Sequence, residues 1–396
     1  QDPFVILEYT TPAEKGWMML YSEDGHFEGD VSLAYSGAGG KTSVVLTSAR
    51  TTGSIGKAST TLPKAADYQK PTGKSNAKVT DFVLTETPEG FHYAFNAAGT
   101  DYMLLYWRSK EQTVTQPVYP DENGHYEGDV VSELTFARTQ FTVQVKSGSG
   151  SMKKEATVRK GYQAPEAPQR QEGRLSGVTV CIDAGHQENG RFVNEPIGPG
   201  LSGSTSGKGG MAQGTKTNRR ESIVCLEIGM LLRDELLRQG ANVIMTREDQ
   251  MTFHTNIERC EIAEAGGAQI MLRLHCNNSS NRSKRGIQVY GPLNSDYAKA
   301  VADADTYRKM GQKLLDAMKT RVGMTLANST GMVRLNDNYV GNNWAKMMCF
   351  LVEMGYLSNP AEEYLLVTPV YQQWLAEGMA DGVYEIAVAR GWVQAQ

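Results

Sequence analysis

The stretch "LSGVTVCIDAGHQENG", residues 175–190, decides how the second half of the chain is read. Its apolar run is continuous rather than alternating. That predicts a strand buried on both faces, as in a parallel sheet. The run then breaks at once into Asp183-Ala-Gly-His186. Such a strand delivers polar groups to the carboxyl edge of a sheet, where open α/β folds bind their ligands. Gly185 is expected to let the backbone turn sharply there. Asp183 is expected to orient a neighbour that the sequence does not name. Taken alone, His186 reads as a hydrogen-bonded strand-end histidine.

Downstream, strand and helix patterns alternate. "RESIVCLEIGMLLRDELLRQG" predicts a helix with Val224, Ile228, Leu231, Leu232 and Leu236 on one broad apolar face and Gly240 as its stop. "ANVIMTR", "AQIMLRLHCN", "GIQVYG" and "MMCFLVEMGYLSN" read as strands. "NIERCEIAEAGG", "DADTYRKMGQKLLDAMKTRVG" and "VYQQWLAEGMADGVYEIAVARG" read as helices. The alternation predicts an α/β domain over 175–396, with a mostly parallel sheet covered by helices on both faces.

Upstream the style differs. Short Thr-, Val- and Tyr-rich runs such as "FVILEYTT", "YMLLYW" and "FTVQVKS" alternate with polar turns, the pattern of β-sandwich modules. "DGHFEGDVSLAYSGAGGKTSVVLTSA" (24–49) is echoed by "NGHYEGDVVSELTFARTQFTVQVKSG" (123–148), which predicts tandem modules of one fold. They are placed at 1–72 and 73–162, and this repeated pattern resembles bacterial immunoglobulin-like (Ig-like) domains. His26 and His125 match in the repeat but lie a module apart beside turns, so they read as turn or strand-edge residues. "QAPEAPQRQEGR" (163–174) reads as a linker. The whole chain is thus expected to be multidomain.

The net charge of -4 over 396 residues gives no broad electrostatic grip on nucleic acid, so no nucleic-acid partner is expected. No apolar run reaches the about 18 residues of a membrane span. The opening "QDPFVILEY" shows no export signal and reads as a processed or truncated form. Five cysteines, an odd number without a CxxC, make neither a disulfide framework nor a zinc ribbon. They read as small buried hydrophobes.

Chemistry gathers at the predicted strand ends. His275 follows "IMLRL", Glu353 follows "CFLV", and Glu221 opens the first long helix. Each has a plain structural alternative. Asn218-Arg-Arg-Glu221 fits a capping box, and His275 could sit in a turn. Glu353 is the hardest to explain that way, because an unpaired carboxylate in an apolar run is costly. Together with His186, two histidines and two glutamates reach one rim. Two His and one carboxylate form a known catalytic zinc set that leaves a fourth position for water.

These pieces resemble the zinc-dependent N-acetylmuramoyl-L-alanine amidases of bacterial cell walls and endolysins, the amidase_3 class. "VCIDAGH", Glu221, "VIMTRED", "IERCEIAEAGGAQIMLRLHCNN", "GIQVY" and "FLVEMGYLSNPAEEYLL" occur in family order across residues 176–392. The resemblance implies Zn2+ held by His186, Glu221 and His275, with Glu353 as the catalytic carboxylate. It implies peptidoglycan as substrate and the amide between N-acetylmuramic acid and L-alanine of the stem peptide as the bond cleaved. An extracellular or wall-associated location follows, with the N-terminal modules as spacers or as contacts to wall or protein. Three residues depart from the family pattern: Cys276 where Ala is usual, Arg273 where Ser is common, and Cys225 where Asn is frequent. A Cys276 thiolate beside His275 could compete for metal, although a strand neighbour normally points away. The alternatives are a zinc peptidase, disfavoured by the long separation of His186 and Glu221, and a non-catalytic wall-binding protein, disfavoured by retention of all four polar groups.

Residues 187–217 form a long Gly/Ser-rich segment, expected either to shape or gate the cleft or to be a permissive surface insertion. Arg247 and Arg259 are expected to form ion pairs with nearby Glu248, Asp249 and Glu258. Asn278-Ser-Ser fits a glycosylation acceptor but abuts the expected metal site, which discounts it.

Overall fold

The computed structural model describes residues 4–10, 15–23, 26–28, 40–48, 54–62, 79–87, 90–98, 103–108, 113–131, 139–147, 152–160, 166–187, 193–205, 210–250, 252–322 and 332–395. The chain divides into two compact units, 1–163 and 164–396.

In the first unit, strands β1 (Phe4–Thr10), β2 (Lys15–Glu23), β3 (His26–Phe27), β4 (Gly40–Ser48) and β5 (Ser54–Leu62) form one antiparallel sheet in the order β3-β2-β1-β4-β5. The following strands are β6 (Val79–Thr87), β7 (Gly90–Ala97), β8 (Met103–Arg108), β9 (Thr113–Val118), β10 (His125–Val131), β11 (Thr139–Ser147) and β12 (Met152–Lys160). They form two antiparallel sheets, β10-β7-β6 and β12-β11-β8-β9. The inward positions alternate, as in a sandwich: Phe91, Tyr93 and Phe95 of one sheet share a core with Met103, Leu105 and Trp107 of the other. Phe95 stacks on Tyr126 at 4.6 Å. The matched histidines behave as edge residues. His26 is exposed on the two-residue β3, and His125 opens β10 after a turn whose Asp121 side chain accepts its backbone N–H.

The second unit carries a six-stranded sheet built from β13 (Thr179–Ala184), β14 (Asn242–Met245), β15 (Ile270–Asn277), β16 (Gln288–Gly291), β17 (Met332–Leu335) and β18 (Met348–Tyr356). Its order is β14-β13-β15-β18-β16-β17. Every neighbouring pair is parallel except β16 with β18, so the expected mostly parallel sheet is in fact mixed. The helices are α1 (Glu221–Arg238), α2 (Asn256–Ala265), α3 (Asp296–Val301), α4 (Ala304–Val322), α5 (Val340–Trp344), α6 (Glu362–Leu366) and α7 (Pro369–Ala389).

Alternation along the strands assigns the two faces. Cys181, Met271 and Cys349 point to one side and pack with Cys260 and Ala263 of α2. Ile182 and Ala184 point to the other, where Gly229 of α1 lies against them. Phe350 meets Tyr307 of α4 on that second side. Helix α1 is buried nearly all round over its first ten residues rather than along one stripe, because α7 covers the side turned away from the sheet. It stops where expected, at Gly240 with φ 94. Short helices α3, α5 and α6 carry too few turns to show a helical period, and the sequence pattern does not reveal them. Residues 170–174 are fastened to this unit: Arg170 donates to the Gly240 carbonyl, and Arg174 pairs with Asp381.

Candidate metal centre

The parallel strands end together, and that sets the site. His275 on β15 lies in register with Glu353 on β18. Strand β13 ends one residue before Gly185, whose N–H donates to the Leu274 carbonyl at 2.9 Å. A side chain at 185 is impossible here: a Cβ would sit 2.4 Å from the Leu274 carbonyl oxygen and 2.6 Å from the His275 ring. Glycine is therefore required for close approach to β15. The sharp turn expected at Gly185 falls on the next residue, since His186 itself adopts the left-handed conformation at φ 57.

That turn aims the His186 ring at the start of α1. His186 Nε2 lies 3.1 Å from Glu221 Oε2, and His275 Nδ1 lies 2.9 Å from Glu221 Oε1. The two imidazoles meet edge to face, with centroids 4.9 Å apart. One donor atom from each of His186, Glu221 and His275 falls within 4.8 Å of the others, so the three could hold a metal ion. No other His, Cys, Asp or Glu joins such a group among the described residues.

Glu221 is not the capping residue that its sequence position allowed. The N-cap of α1 is Arg220, and no side chain caps it. Instead the Glu221 carboxylate accepts the N–H of Ala212 at 2.8 Å and of Cys276 at 3.0 Å. Burial alone would raise its pKa, but the hydrogen bonds with His186 and His275 outweigh that and hold it well below the carboxylate range. Burial pushes the His275 pKa down. Both shifts favour the forms that bind metal, an ionised carboxylate and a neutral imidazole.

Glu353 faces the same cavity, of about 500 Å³, which His186, Glu221, His275, Asn277 and Tyr339 also line. Its Oε2 is buried and has no hydrogen-bond partner among the described residues. Burial, with the Glu221 charge nearby, raises its pKa well above the usual value. Cys276 neighbours His275 along β15, so its side chain turns to the opposite side of the strand. The Cys276 and Cys225 thiols are buried, burial raises their pKa values, and neither belongs to the group formed by His186, Glu221 and His275.

The partner of Asp183 is a pair of arginines. Its carboxylate accepts from Arg259, from Arg273 Nε at 2.9 Å and from the Thr246 hydroxyl at 2.7 Å. The ion pair expected between Arg259 and Glu258 does not form, because Glu258 caps α2 by accepting the Thr255 N–H at 2.8 Å. Arg247 pairs with no carboxylate among the described residues; its donors go to main-chain carbonyls. Residue spacing gave no sign of the Asp183 cluster or of most Arg247 contacts, since apart from the Asp249 carbonyl those partners are distant in sequence.

The Gly-rich segment is described over 193–205 and 210–217; residues 188–192 and 206–209 lie outside the described residues. Thr205, Gly210 and Ala212 line the cavity. The segment is tied down at several points. Glu195 accepts the Ile257 N–H at 2.8 Å, Trp344 Nε1 donates to the Pro196 carbonyl at 2.9 Å, and Glu363 accepts the Lys216 N–H at 3.0 Å. It forms a wall whose Ala212 touches a candidate ligand. Sequence reasoning missed Ala212, which acts through its backbone, and Tyr339, which no periodic pattern marks.

The second unit is similar in sequence to known cell-wall amidases. The model of the Amidase_3 family, described as N-acetylmuramoyl-L-alanine amidase, matches residues 180–385. A germination-specific N-acetylmuramoyl-L-alanine amidase of Bacillus subtilis is 25% identical over 231 residues, covering 55% of this chain and 83% of that protein. The probable cell wall amidase LytH of Staphylococcus aureus is 26% identical over 218 residues, covering 54% of this chain and 60% of that one. Among solved structures, the apo form of an N-acetylmuramyl-L-alanine amidase from Mycobacterium abscessus matches with a TM-score of 0.49 and 21% identity, covering 54% of this chain and 99% of that chain. The family match spans more than half of the chain and contains all four polar residues of the rim, and so this chain belongs to the Amidase_3 family of N-acetylmuramoyl-L-alanine amidases.

Proposed function

We propose that this amidase is a zinc enzyme that cleaves the amide between N-acetylmuramic acid and the L-alanine of the stem peptide. His186, Glu221 and His275 would hold the ion, and Glu353 would act as general base and then general acid. The observation that carries the reading is a two-nitrogen, one-carboxylate cluster sharing a cavity with a carboxylate whose buried oxygen has no partner among the described residues. The donor set fits the group: two imidazoles and one carboxylate are a known catalytic zinc set. When bound, zinc supplies a Lewis acid that polarises the scissile carbonyl and brings the pKa of a coordinated water towards about 7.

The chain's own residues do the rest. Ala212 and Cys276 fix the Glu221 carboxylate through their backbone N–H groups. The raised pKa of Glu353 suits a group that takes a proton near neutrality and returns it to the departing amine. The cavity is within the range of about 300–1,000 Å³ typical of ligand sites. The uncharged polar side chains of Asn277, Asn278, Asn338 and Tyr339 offer hydrogen bonds to an amide and its neighbours.

Upstream, the strands from Val79 to Lys160 form two sheets around one core, which supports a β-sandwich reading of 73–162; we assign a module of the same kind to 1–72 from the sequence repeat. Both are read as Ig-like spacers between the catalytic domain and wall or protein contacts. The substrate places the enzyme outside the cell or in the wall. No described helix is long and apolar enough to cross a membrane.

Metal analysis, together with release of stem peptide bearing a free L-alanine amine, tests the reading. Wild-type protein is expected to carry one zinc and release the peptide, and His186→Ala to lose both. A His186→Ala variant that kept full zinc and full activity would overturn the ligand assignment.

A further inference from the structure

The turn at residues 184–186, left-handed at His186, is held by two arginines beside the Gly185 N–H bond to Leu274. Arg247 is 2% exposed and presents its donors entirely to main-chain oxygens. Its Nε donates to the Ala184 carbonyl at 2.7 Å, and its Nη2 donates to the Gly185 carbonyl at 2.8 Å and the Ser222 carbonyl at 2.7 Å. Its Nη1 donates to the Asp249 carbonyl at 2.9 Å. Arg259 adds donors to the Ala184 carbonyl at 2.9 Å and to the carbonyl of His186 itself at 3.1 Å.

Two features of this arrangement point beyond ordinary core packing. First, a buried cation without an ion-paired carboxylate is expensive, so its hydrogen bonds have to offset the lost solvation. Burial, followed by the neighbouring Arg259 charge, lowers the Arg247 pKa to about 9, which still leaves it charged at neutrality. Second, the carbonyls it joins belong to the two separate backbones that carry candidate ligands. Ala184 and Gly185 immediately precede His186, and Ser222 immediately follows Glu221. The Ser222 carbonyl also accepts from Gln250 Nε2 at 2.8 Å, which fixes the start of α1 to the same loop. A planar guanidinium reaches both backbones at once with fixed angles; a lysine ammonium on a flexible stem does not.

We infer that Arg247 is a positioning residue that sets the separation of the His186 turn and the Glu221 helix start, and so preorganises the metal cluster. Arg259 supports it by clamping the His186 carbonyl. The inference rests on the zinc reading above and deepens it.

The test is zinc affinity, measured on the whole chain by competition with a chromophoric chelator, beside the thermal midpoint of the metal-free protein. Arg247→Lys keeps the charge and removes the fork. It is expected to weaken zinc binding about 10- to 100-fold, the usual effect of disturbing groups that orient metal ligands. The visible absorption of the cobalt-substituted protein should shift as well, which a general loss of stability would not cause. Arg259→Lys should act in the same direction, more weakly, and serves if Arg247→Lys does not fold. A folded Arg247→Lys variant with wild-type zinc affinity and an unchanged cobalt spectrum would overturn the inference while leaving the zinc reading intact. A wild-type protein that takes up no zinc would overturn both, and this shows before any variant is made.

Discussion

Two carboxylates near the ends of neighbouring strands have opposite surroundings. Asp183 on β13 is fully buried and answered on every side by Arg259, Arg273 and Thr246. Burial would raise its pKa, but the two guanidinium groups hold it far below the carboxylate range. Glu353 on β18 is partly exposed, yet its buried Oε2 has no partner among the described residues and its pKa is pushed well upward. Both are acids on one sheet, and the partners alone separate them. The paired acid belongs to the frame that holds the ligand-bearing turn. In the proposed mechanism the unpaired one keeps a free lone pair and a movable proton for chemistry, at a cost in stability.

The largest expected effect is on the unpaired side. Glu353→Gln should lower peptide release by about 10²- to 10⁴-fold, the usual loss for a proton-transfer group. Zinc content should stay at the wild-type level, because no ligand changes. If the variant hydrolysed at the wild-type rate, Glu353 would be no more than a tolerated buried acid and the contrast with Asp183 would collapse.

The paired side should fail in stability instead. Asp183→Asn leaves two buried guanidinium groups without their shared counterion and should cost about 3–5 kcal/mol in chemical denaturation. The pH dependence has a definite sign. A carboxylate whose folded pKa is depressed stabilises fully above its unfolded value of about 3.9, and that contribution fades as pH falls below it. Wild-type metal-free protein should therefore lose stability below about pH 4–5 more steeply than Asp183→Asn does. Parallel acid limbs in the two proteins would mean that the pair contributes nothing.

The frame and the site were not equally legible in the sequence. Alternating patterns exposed the sheet and its long helices, because burial on both faces of β13, β15 and β18 leaves uninterrupted apolar runs. His186, Glu221, His275 and Glu353 stood out because polar groups interrupt those runs at strand and helix ends. The support behind them was invisible. Arg247 was expected to seek a nearby acid, but it takes the main-chain carbonyl of Asp249 rather than its carboxylate, and its other partners are carbonyls of residues 184, 185 and 222, brought close only by the fold. Asp183 was noticed without its partners for the same reason. Backbone donors such as Ala212 leave no trace in residue type at all. Gly185 was singled out for turning freedom, whereas what excludes a side chain is the Leu274 carbonyl and the His275 ring pressed against it.

A smaller effect of opposite sign sharpens the comparison. Replacing the unpaired acid by an apolar side chain of similar length removes a buried group that lacks a partner. Metal-free Glu353→Met should be more stable than wild type by about 1–2 kcal/mol at neutral pH, while being inactive. Because the folded pKa of Glu353 is raised, its cost is absent below the unfolded value of about 4.3 and grows as pH rises from there through the folded pKa. The gain from Glu353→Met should therefore be larger at pH 8 than at pH 4. A destabilised Glu353→Met protein would show that the carboxyl is satisfied in solution.

The smallest predicted effect concerns how the frame reaches the site. Helix α2 begins with a reciprocal cap: the Thr255 hydroxyl accepts the Glu258 N–H at 3.2 Å, and Glu258 accepts the Thr255 N–H at 2.8 Å. One residue on, Arg259 leaves the helix to hold Asp183 and the His186 carbonyl. Thr255→Ala removes half of the cap and should cost about 1 kcal/mol in chemical denaturation. Arg259 has five donors spread over Asp183, the main chain and Gln187, so a loosened first turn leaves most of its contacts in place. Zinc affinity and hydrolysis are therefore expected to stay within about twofold of wild type, a change too small to count as loss of a metal-orienting group. A Thr255→Ala variant that lost zinc affinity by tenfold or more would show that the paired side acts on the ligands through the helix as a whole, and the separation between a structural acid and a chemical one would be less sharp than their hydrogen bonds indicate.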